Sequence, residues 1–199
     1  MKDTVRDVVR FFKTHWPHVL LGIPGAIAIT AVHELAHCAA VWVQGGTVTD
    51  FVFIPSGAQW GHMNFVFPPG AAFNRSAISL APYMLGIMSC LLVGALALRR
   101  KPWPFWAAST FFVWLFIVPV GDIMNGAIPY LLRSAQNDLM HAFGPPTLLW
   151  LAIEVAFGIV ATAWGYFLNK RLYRDRAMSL PTYSIFAATA ALILLVVTT

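Results

Sequence analysis

Charged residues are scarce in this chain. Only 11% of its 199 residues are Asp, Glu, Lys or Arg, whereas about a quarter of a typical soluble protein is charged. Hydrophobic residues make up 59%, and the mean hydropathy is +0.71, so the chain carries more apolar surface than one soluble core can bury. The shortage of charge excludes an ordinary soluble domain and predicts a protein that lies in a lipid bilayer.

Cysteine and acidic residues are also few. Cys38 and Cys90 both stand in apolar runs, so neither is typical of a disulfide partner. The two cysteines therefore do not indicate whether the protein is in an oxidising or a reducing compartment. Thirteen basic residues against eight acidic ones give a net charge of +5. The basic residues cluster between apolar runs and do not form a face for nucleic acid, so no nucleic-acid partner is expected.

Five segments are apolar enough to cross a bilayer, which takes about 20 mainly apolar residues in a helix. They are residues 19–43, 77–98, 105–123, 147–168 and 183–197, the last being the shortest. Eleven of the thirteen basic residues precede the first segment or follow the second and the fourth. Because basic loops stay on the cytoplasmic side, this pattern predicts a cytoplasmic N-terminus.

The N-terminal residues 1–16 have valines on one side and arginines on the other at helical spacing. This pattern predicts an amphipathic helix that lies on the membrane surface.

Two segments between the spans differ from a membrane helix. Residues 47–54 and 63–67 are β-rich and flank a Gly/Ser turn region, which predicts a β hairpin between spans 1 and 2. Residues 125–146 are partly apolar but interrupted by proline and glycine, which predicts an irregular re-entrant segment before span 4. The expected fold is an all-α polytopic membrane protein, a single integral membrane domain over residues 1–199 with about five transmembrane helices.

The string His33-Glu34-Leu35-Ala36-His37 carries the clearest chemical signal. Histidines four apart lie on one face of a helix, about 6 Å apart along its axis, so both can bind one zinc ion. Glu34 can then act as the general base for a water whose pKa the zinc lowers to about 7. An ionisable group inside an apolar span costs about 2.5–3.5 kcal/mol or more. A shared metal in a water-accessible cavity explains why three such groups stand together.

A catalytic zinc site has three protein ligands and one open position, so a third ligand is needed. The candidates are Asp122, Asp138, His62 and His141. Asp122 suits the depth of the site, because the third span brings it to the same half of the membrane as the histidines. Asp138 stands just ahead of a predicted helix start, where it is also suited to be an ordinary helix cap. Spacing alone does not choose between them.

These motifs resemble the site-2 protease family of intramembrane zinc metalloproteases. The HExxH motif lies in the first span and is followed by Gly45-Gly46 and the hairpin. The hairpin's Pro-Ser-Gly at 55–57 and the string Asn-Asp-Leu-Met-His-Ala at 137–142 are most similar to a small bacterial branch of the family. The resemblance covers about residues 30–151. The family's usual Leu-Asp-Gly-Gly string is absent, and the Asn125…Pro129…Asp138 spacing is longer than usual.

The resemblance implies a function and a ligand set. His33, His37 and Asp138 are expected to bind Zn²⁺, and Glu34 is expected to be the base. The substrate would be a transmembrane protein or peptide, and the protein would lie in a bacterial cytoplasmic (inner) membrane. Asn125 is a candidate for stabilising the oxyanion, although a polar contact between helices explains it equally well.

A non-proteolytic zinc-binding membrane protein, either a scaffold or a transporter, is the alternative function. A transporter is expected to show inverted repeats and paired broken helices, and the sequence has no such repeat. The substrate, the pathway and the oligomeric state are not specified by the sequence.

The positions of the basic clusters generate a prediction about topology. In a variant without Cys38 and Cys90, cysteines introduced by Arg100→Cys and Arg171→Cys are expected to react with an impermeant thiol reagent only from the cytoplasmic side. A cysteine introduced by Gly57→Cys is expected not to react from that side. Labelling of intact cells and of inverted vesicles measures this, and reaction of position 100 from outside would overturn the order of the spans.

Overall fold

The computed structural model is a mostly helical protein with one small sheet. It describes residues 2–53, 61–98, 103–132, 137–174, 177, 179–181 and 183–184. In chain order the elements are α1 (Lys2–Val43), β1 (Thr47–Val52), β2 (His62–Val66), α2 (Arg75–Ala97), α3 (Phe105–Phe112), a π-helical turn (Val113–Ile117), α4 (Val118–Leu132), α5 (Asp138–Phe143) and α6 (Leu148–Tyr173).

Three helical segments are long and apolar enough to cross a membrane. They are Arg75–Ala97, Phe105–Ile128 and Leu148–Tyr173, with 23, 24 and 26 residues, and they coincide with the second, third and fourth predicted spans. The C-terminal part of α1, Ile27–Val43, is apolar but shorter. The predicted fifth span, 183–197, lies outside the described residues except at its first two positions. A total of five spans therefore stays a prediction.

The first helix is longer than one membrane crossing requires. Its 42 residues correspond to about 60 Å at 1.5 Å per residue. It joins the predicted surface helix, 1–16, to the predicted first span without a break. The side chains of Val5 and Val9 in its N-terminal part are exposed, and the position of this part at a membrane surface stays a prediction.

The prediction of an irregular stretch from residue 125 onward is wrong for residues 125–132. Helix α3, the π-helical turn and α4 form one continuous run that ends at Leu132. Proline at position 129 costs about 3 kcal/mol in a helix. Ile123, Ala127 and Tyr130 are buried against α2 and α5, and packing against neighbouring helices makes proline tolerable within a membrane helix. Packing therefore outweighs the helix-breaking signal.

Two clusters of buried side chains hold the helices together. The first joins α2, α3 and α6 and consists of Val93, Ala97, Ala108, Phe112, Phe116, Leu168, Leu172 and Tyr173, together with Tyr183. The second joins α2, α4 and α5 and consists of Tyr83, Ile123, Ala127, Tyr130 and Leu139. Trp150 and Phe157 of α6 pack against the second cluster. This second cluster brings α5 next to α4 and α2, which positions the site described below.

The predicted hairpin is present. Strands β1 and β2 are antiparallel, with Thr47 opposite Val66 and Val52 opposite His62, and the register shifts between Val48 and Asp50. Such a bulge increases the local twist of a two-stranded ribbon. The hairpin packs against α1, and its predicted turn, 54–60, lies outside the described residues. Among the described residues the sheet has only these two strands, so each strand has one unpaired edge.

Close packing around α6 generates a prediction about stability. A methyl group added at Gly165 would lie 2.6 Å from Cε1 of Phe116 and would also meet Tyr183. Overpacking of this kind costs about 1–3 kcal/mol. Gly165→Ala is therefore expected to lower the midpoint of thermal unfolding in detergent, measured by circular dichroism.

Gly158 is the matched control on the same helix. No described atom lies within 4 Å of a methyl group added there, and alanine is preferred to glycine in a helix by about 0.5–1 kcal/mol. Gly158→Ala is expected to leave the midpoint unchanged or to raise it. Equal midpoints for the two variants would show that α6 does not pack at Gly165 as described.

Candidate metal centre

The two histidines of the HExxH motif lie one turn apart on α1, as their spacing predicts. Their ring centroids are 4.9 Å apart and the rings are nearly perpendicular. Their side chains are only 15% and 7% exposed, for His33 and His37 respectively. Both rings therefore lie inside the helical bundle, where a polar atom needs a partner.

Asp138 meets both histidines. Its Oδ2 lies 3.3 Å from Nε2 of His33 and 3.1 Å from Nε2 of His37. The ligand atoms of the three residues all lie within 4.8 Å of one another, so the group can hold a metal ion. The Asp138 side chain is 29% exposed, more than either histidine, so the site is most open on the side of α5.

Asn137 fixes the position of Asp138. Its side-chain oxygen accepts a hydrogen bond from the backbone N–H of Met140 at 3.1 Å, and its side-chain nitrogen donates to the carbonyl of Gly126 at 2.7 Å. The first contact caps α5, and the second ties the start of α5 to α4. The helix cap is thus Asn137, and Asp138 is left free to face the histidines.

The outward nitrogens of both histidines have acceptor partners. Nδ1 of His33 lies 2.9 Å from Oδ2 of Asp122, and Nδ1 of His37 lies 2.8 Å from the backbone carbonyl of Ile78. A carbonyl or carboxylate oxygen only accepts, so each Nδ1 is the donor in its contact. The Nε2 atoms are left to face the Asp138 carboxylate.

The three atoms that face one another can be joined by protons or by one metal ion. A proton on Nε2 would donate to Oδ2 of Asp138, whereas one metal ion would take all three atoms as ligands at once. The second ring nitrogen of a metal-binding histidine is almost always held by a carboxylate, a backbone carbonyl or water, and this centre uses the first two.

Glu34 lies beside this centre and packs against the hairpin. Its side chain is buried on α1. A methyl group added at Gly61, just before β2, would lie 3.1 Å from Oε1 of Glu34 and 2.9 Å from Cγ2 of Thr30. Only glycine permits this close approach, so the hairpin rests directly on the helix face that carries Glu34. A glycine at the start of a strand is a signal for such an approach, but the sequence does not name the residue that it meets.

Tyr83 is a further neighbour that sequence reasoning did not predict. Its buried ring packs edge-on against His33 with a centroid distance of 5.7 Å. On its other side, a methyl group at Gly126 would lie 2.9 Å from Cε1 of Tyr83. Tyr83 of α2 therefore packs against His33 of α1 and against α4 at Gly126.

The remaining candidates lie elsewhere. His62 is on β2, with Nε2 3.5 Å from Oδ2 of Asp50 on the opposite strand. His141 is exposed on α5, and Asn125 is half-buried on α4. Of the two competing aspartates, Asp138 meets both Nε2 atoms and Asp122 meets Nδ1 of His33. The geometry thus gives the two carboxylates different roles.

Comparisons of the chain with protein-family models, curated proteins and solved structures find no match. Inferences about function therefore rest on the motif and on the geometry of the centre.

The geometry predicts different outcomes for the two aspartates. Asp138→Asn is expected to lose most bound metal, as are His33→Ala and His37→Ala, because a three-ligand site has no ligand to spare. Asp122→Asn is expected to keep the metal with about 10–100-fold weaker affinity, because an amide oxygen can still accept from Nδ1 of His33. Elemental analysis and titration calorimetry of the purified protein measure both effects.

His141→Ala, an exposed change on the same helix as Asp138, is the control and should bind metal as the unaltered chain does. Loss of the metal from Asp122→Asn together with full occupancy in Asp138→Asn would exchange the two roles.

Proposed function

We propose that this chain is an intramembrane zinc metalloendopeptidase of the site-2 protease type. The observation that carries the proposal is the meeting of His33, His37 and Asp138 around one point, with the buried Glu34 next to it on α1. Two imidazoles, one carboxylate and an adjacent glutamate are the donor set and the base that hydrolytic zinc sites use.

Zinc is the metal that best suits these ligands. It takes nitrogen at about 2.0–2.1 Å and carboxylate oxygen at similar distances, in a tetrahedron. Ligand atoms in such a tetrahedron lie about 3.3 Å apart. The two N···O separations here are 3.1 and 3.3 Å, and all three ligand atoms lie within 4.8 Å of one another. Calcium and magnesium prefer sites made entirely of oxygen, so two imidazoles disfavour them.

The protein's own residues account for the remaining chemistry. A bound zinc ion would supply a water molecule that ionises near neutral pH. Glu34 takes the proton from the attacking water as the oxygen adds to the substrate carbonyl carbon. The same carboxyl delivers that proton to the amide nitrogen as the C–N bond breaks, which yields a carboxylic acid and an amine. Asp122 and the Ile78 carbonyl keep the two imidazoles in the required orientation.

The proposed setting is a bacterial cytoplasmic membrane. The chain would cross it five times with a cytoplasmic N-terminus, and the segment that carries α5 would re-enter the bilayer from the side to which span 3 leads. Three candidate spans of 23–26 residues and the basic clusters between them support this arrangement. The metal site would then lie within the bilayer, and the segment 137–147 would be covered by protein, as irregular backbone at that depth requires.

The hairpin is the proposed substrate platform. Each of its strands has one unpaired edge among the described residues, and a locally unwound transmembrane substrate can add to such an edge as a further strand. Because Gly61 of the hairpin contacts Glu34, a strand bound there would lie close to the base.

Substitution of the base tests the proposal. Glu34→Gln keeps the size of the side chain but cannot take a proton, so cleavage of a transmembrane peptide in detergent or liposomes is expected to fall by about 10²–10⁴-fold. The zinc content should remain that of the unaltered protein. Glu154→Gln on α6 is the matched control, since it makes the same chemical change outside the ligand set, and it should retain both cleavage and zinc.

The outcome separates the two functions. Cleavage at an unchanged rate in Glu34→Gln would remove this glutamate from the mechanism. A zinc-loaded protein without peptidase activity, and indifferent to Glu34, would instead support the non-proteolytic alternative, a metal-binding scaffold or transporter.

A further inference from the structure

Helix α2 begins at Arg75 and contains a proline, Pro82, in its interior. Proline has no backbone N–H, so the carbonyl four residues earlier loses its helical hydrogen-bond partner. That carbonyl belongs to Ile78, and it is the acceptor for Nδ1 of His37 at 2.8 Å. We infer that Pro82 is a positioning residue of the metal centre, because it frees the Ile78 carbonyl to orient His37. The inference rests on the proposed metal-binding function.

Burial makes this pairing necessary on both sides. Ile78 is 3% exposed and His37 is 5% exposed, so neither the carbonyl nor the imidazole N–H has ready access to water. A buried polar group without a partner costs about 1–3 kcal/mol. The carbonyl that Pro82 frees and the N–H of His37 satisfy each other across the contact between α1 and α2.

The pairing determines which nitrogen of His37 can bind a metal. Because a carbonyl only accepts, Nδ1 is held as the donor, and Nε2 is the nitrogen that faces Oδ2 of Asp138 at 3.1 Å. His33 obtains the same arrangement from the carboxylate of Asp122. One ligand is thus oriented by a side chain of α4 and the other by the backbone of α2.

Restoring an N–H at position 82 creates a competitor for the carbonyl. In a regular helix the N–H of residue 82 would donate to Ile78, and the proline ring that crowds this carbonyl would be gone. Pro82→Ala should therefore make α2 a better helix and His37 a poorer ligand. If Pro82 served only packing, its replacement would not change the hydrogen bond that the N–H of one particular imidazole makes.

The full-length protein in detergent, with ¹⁵N-labelled histidine, provides a readout that is independent of activity. In the metal-free protein at constant pH, NMR is expected to show a hydrogen-bonded Nδ1–H of His37 that exchanges slowly with water, the signal being assigned with His37→Ala. In Pro82→Ala this N–H should lose its acceptor and exchange faster, and the zinc affinity should fall by about 10–100-fold. Pro82→Val also restores the N–H, keeps more of the side-chain volume, and should behave alike.

Pro119 provides the matched control, since it is also buried and lies within a helix, α4. Pro119→Ala should leave the exchange rate of the His37 Nδ1–H unchanged. An unaltered exchange rate and an unaltered zinc affinity in both folded Pro82 variants would overturn the inference. Faster exchange in the Pro82 variants of a protein that binds no zinc would instead uphold the positioning role and reject the metal.

Discussion

The centre depends on one constraint, which is that a polar atom buried among apolar helices must find a partner. Three elements supply those partners for two imidazole rings on a fourth. Helix α1 carries the rings, α4 and α2 hold their Nδ1 atoms, and α5 brings a carboxylate to their Nε2 atoms. Because each ring nitrogen has a fixed neighbour, a small shift of any of these helices would leave a buried polar group without a partner. The free-energy cost of that unpaired group favours this one arrangement of the helices over others.

Apolar packing places the helices at the distances that these contacts require. The cluster around Tyr83, Ile123, Tyr130 and Leu139 binds α5 to α4 and α2, and Asn137 adds a hydrogen bond from α5 to the α4 backbone. Glycine at 126 lets the ring of Tyr83 approach α4 closely. Close packing thus brings the helices together, and the directional hydrogen bonds select one alignment among them.

Local patterns in the sequence predict local features of this molecule well. The HExxH spacing places both histidines and Glu34 on neighbouring positions of one helix, and the β-rich runs predict the hairpin. The choice of Asp138 came from a family resemblance, because nothing in the spacing distinguishes it from Asp122. Their separate roles follow from packing between segments 89 and 105 residues apart.

Other features were missed because they depend on tertiary contacts. Proline at 129 indicated a broken segment, whereas burial of its neighbours keeps α4 helical. A proline at 82 does signal a free carbonyl four residues earlier, but the sequence does not say that His37, 41 residues from that carbonyl, would be its partner. The contact between Gly61 and Glu34 likewise appears only once the hairpin is docked on α1.

The distance along the chain between the ligands has a consequence for how the centre is made. Asp138 is 101 residues from His37 and 105 residues from His33, and the intervening chain contains the hairpin, α2, α3 and α4. Closing so long a loop costs conformational entropy that local contacts do not repay. Chains are made from the N-terminus and their segments fold as they emerge, so the histidines exist long before their third partner. In the proposed metal centre, a growing chain therefore presents only two of the three ligands until α5 has been made and has docked.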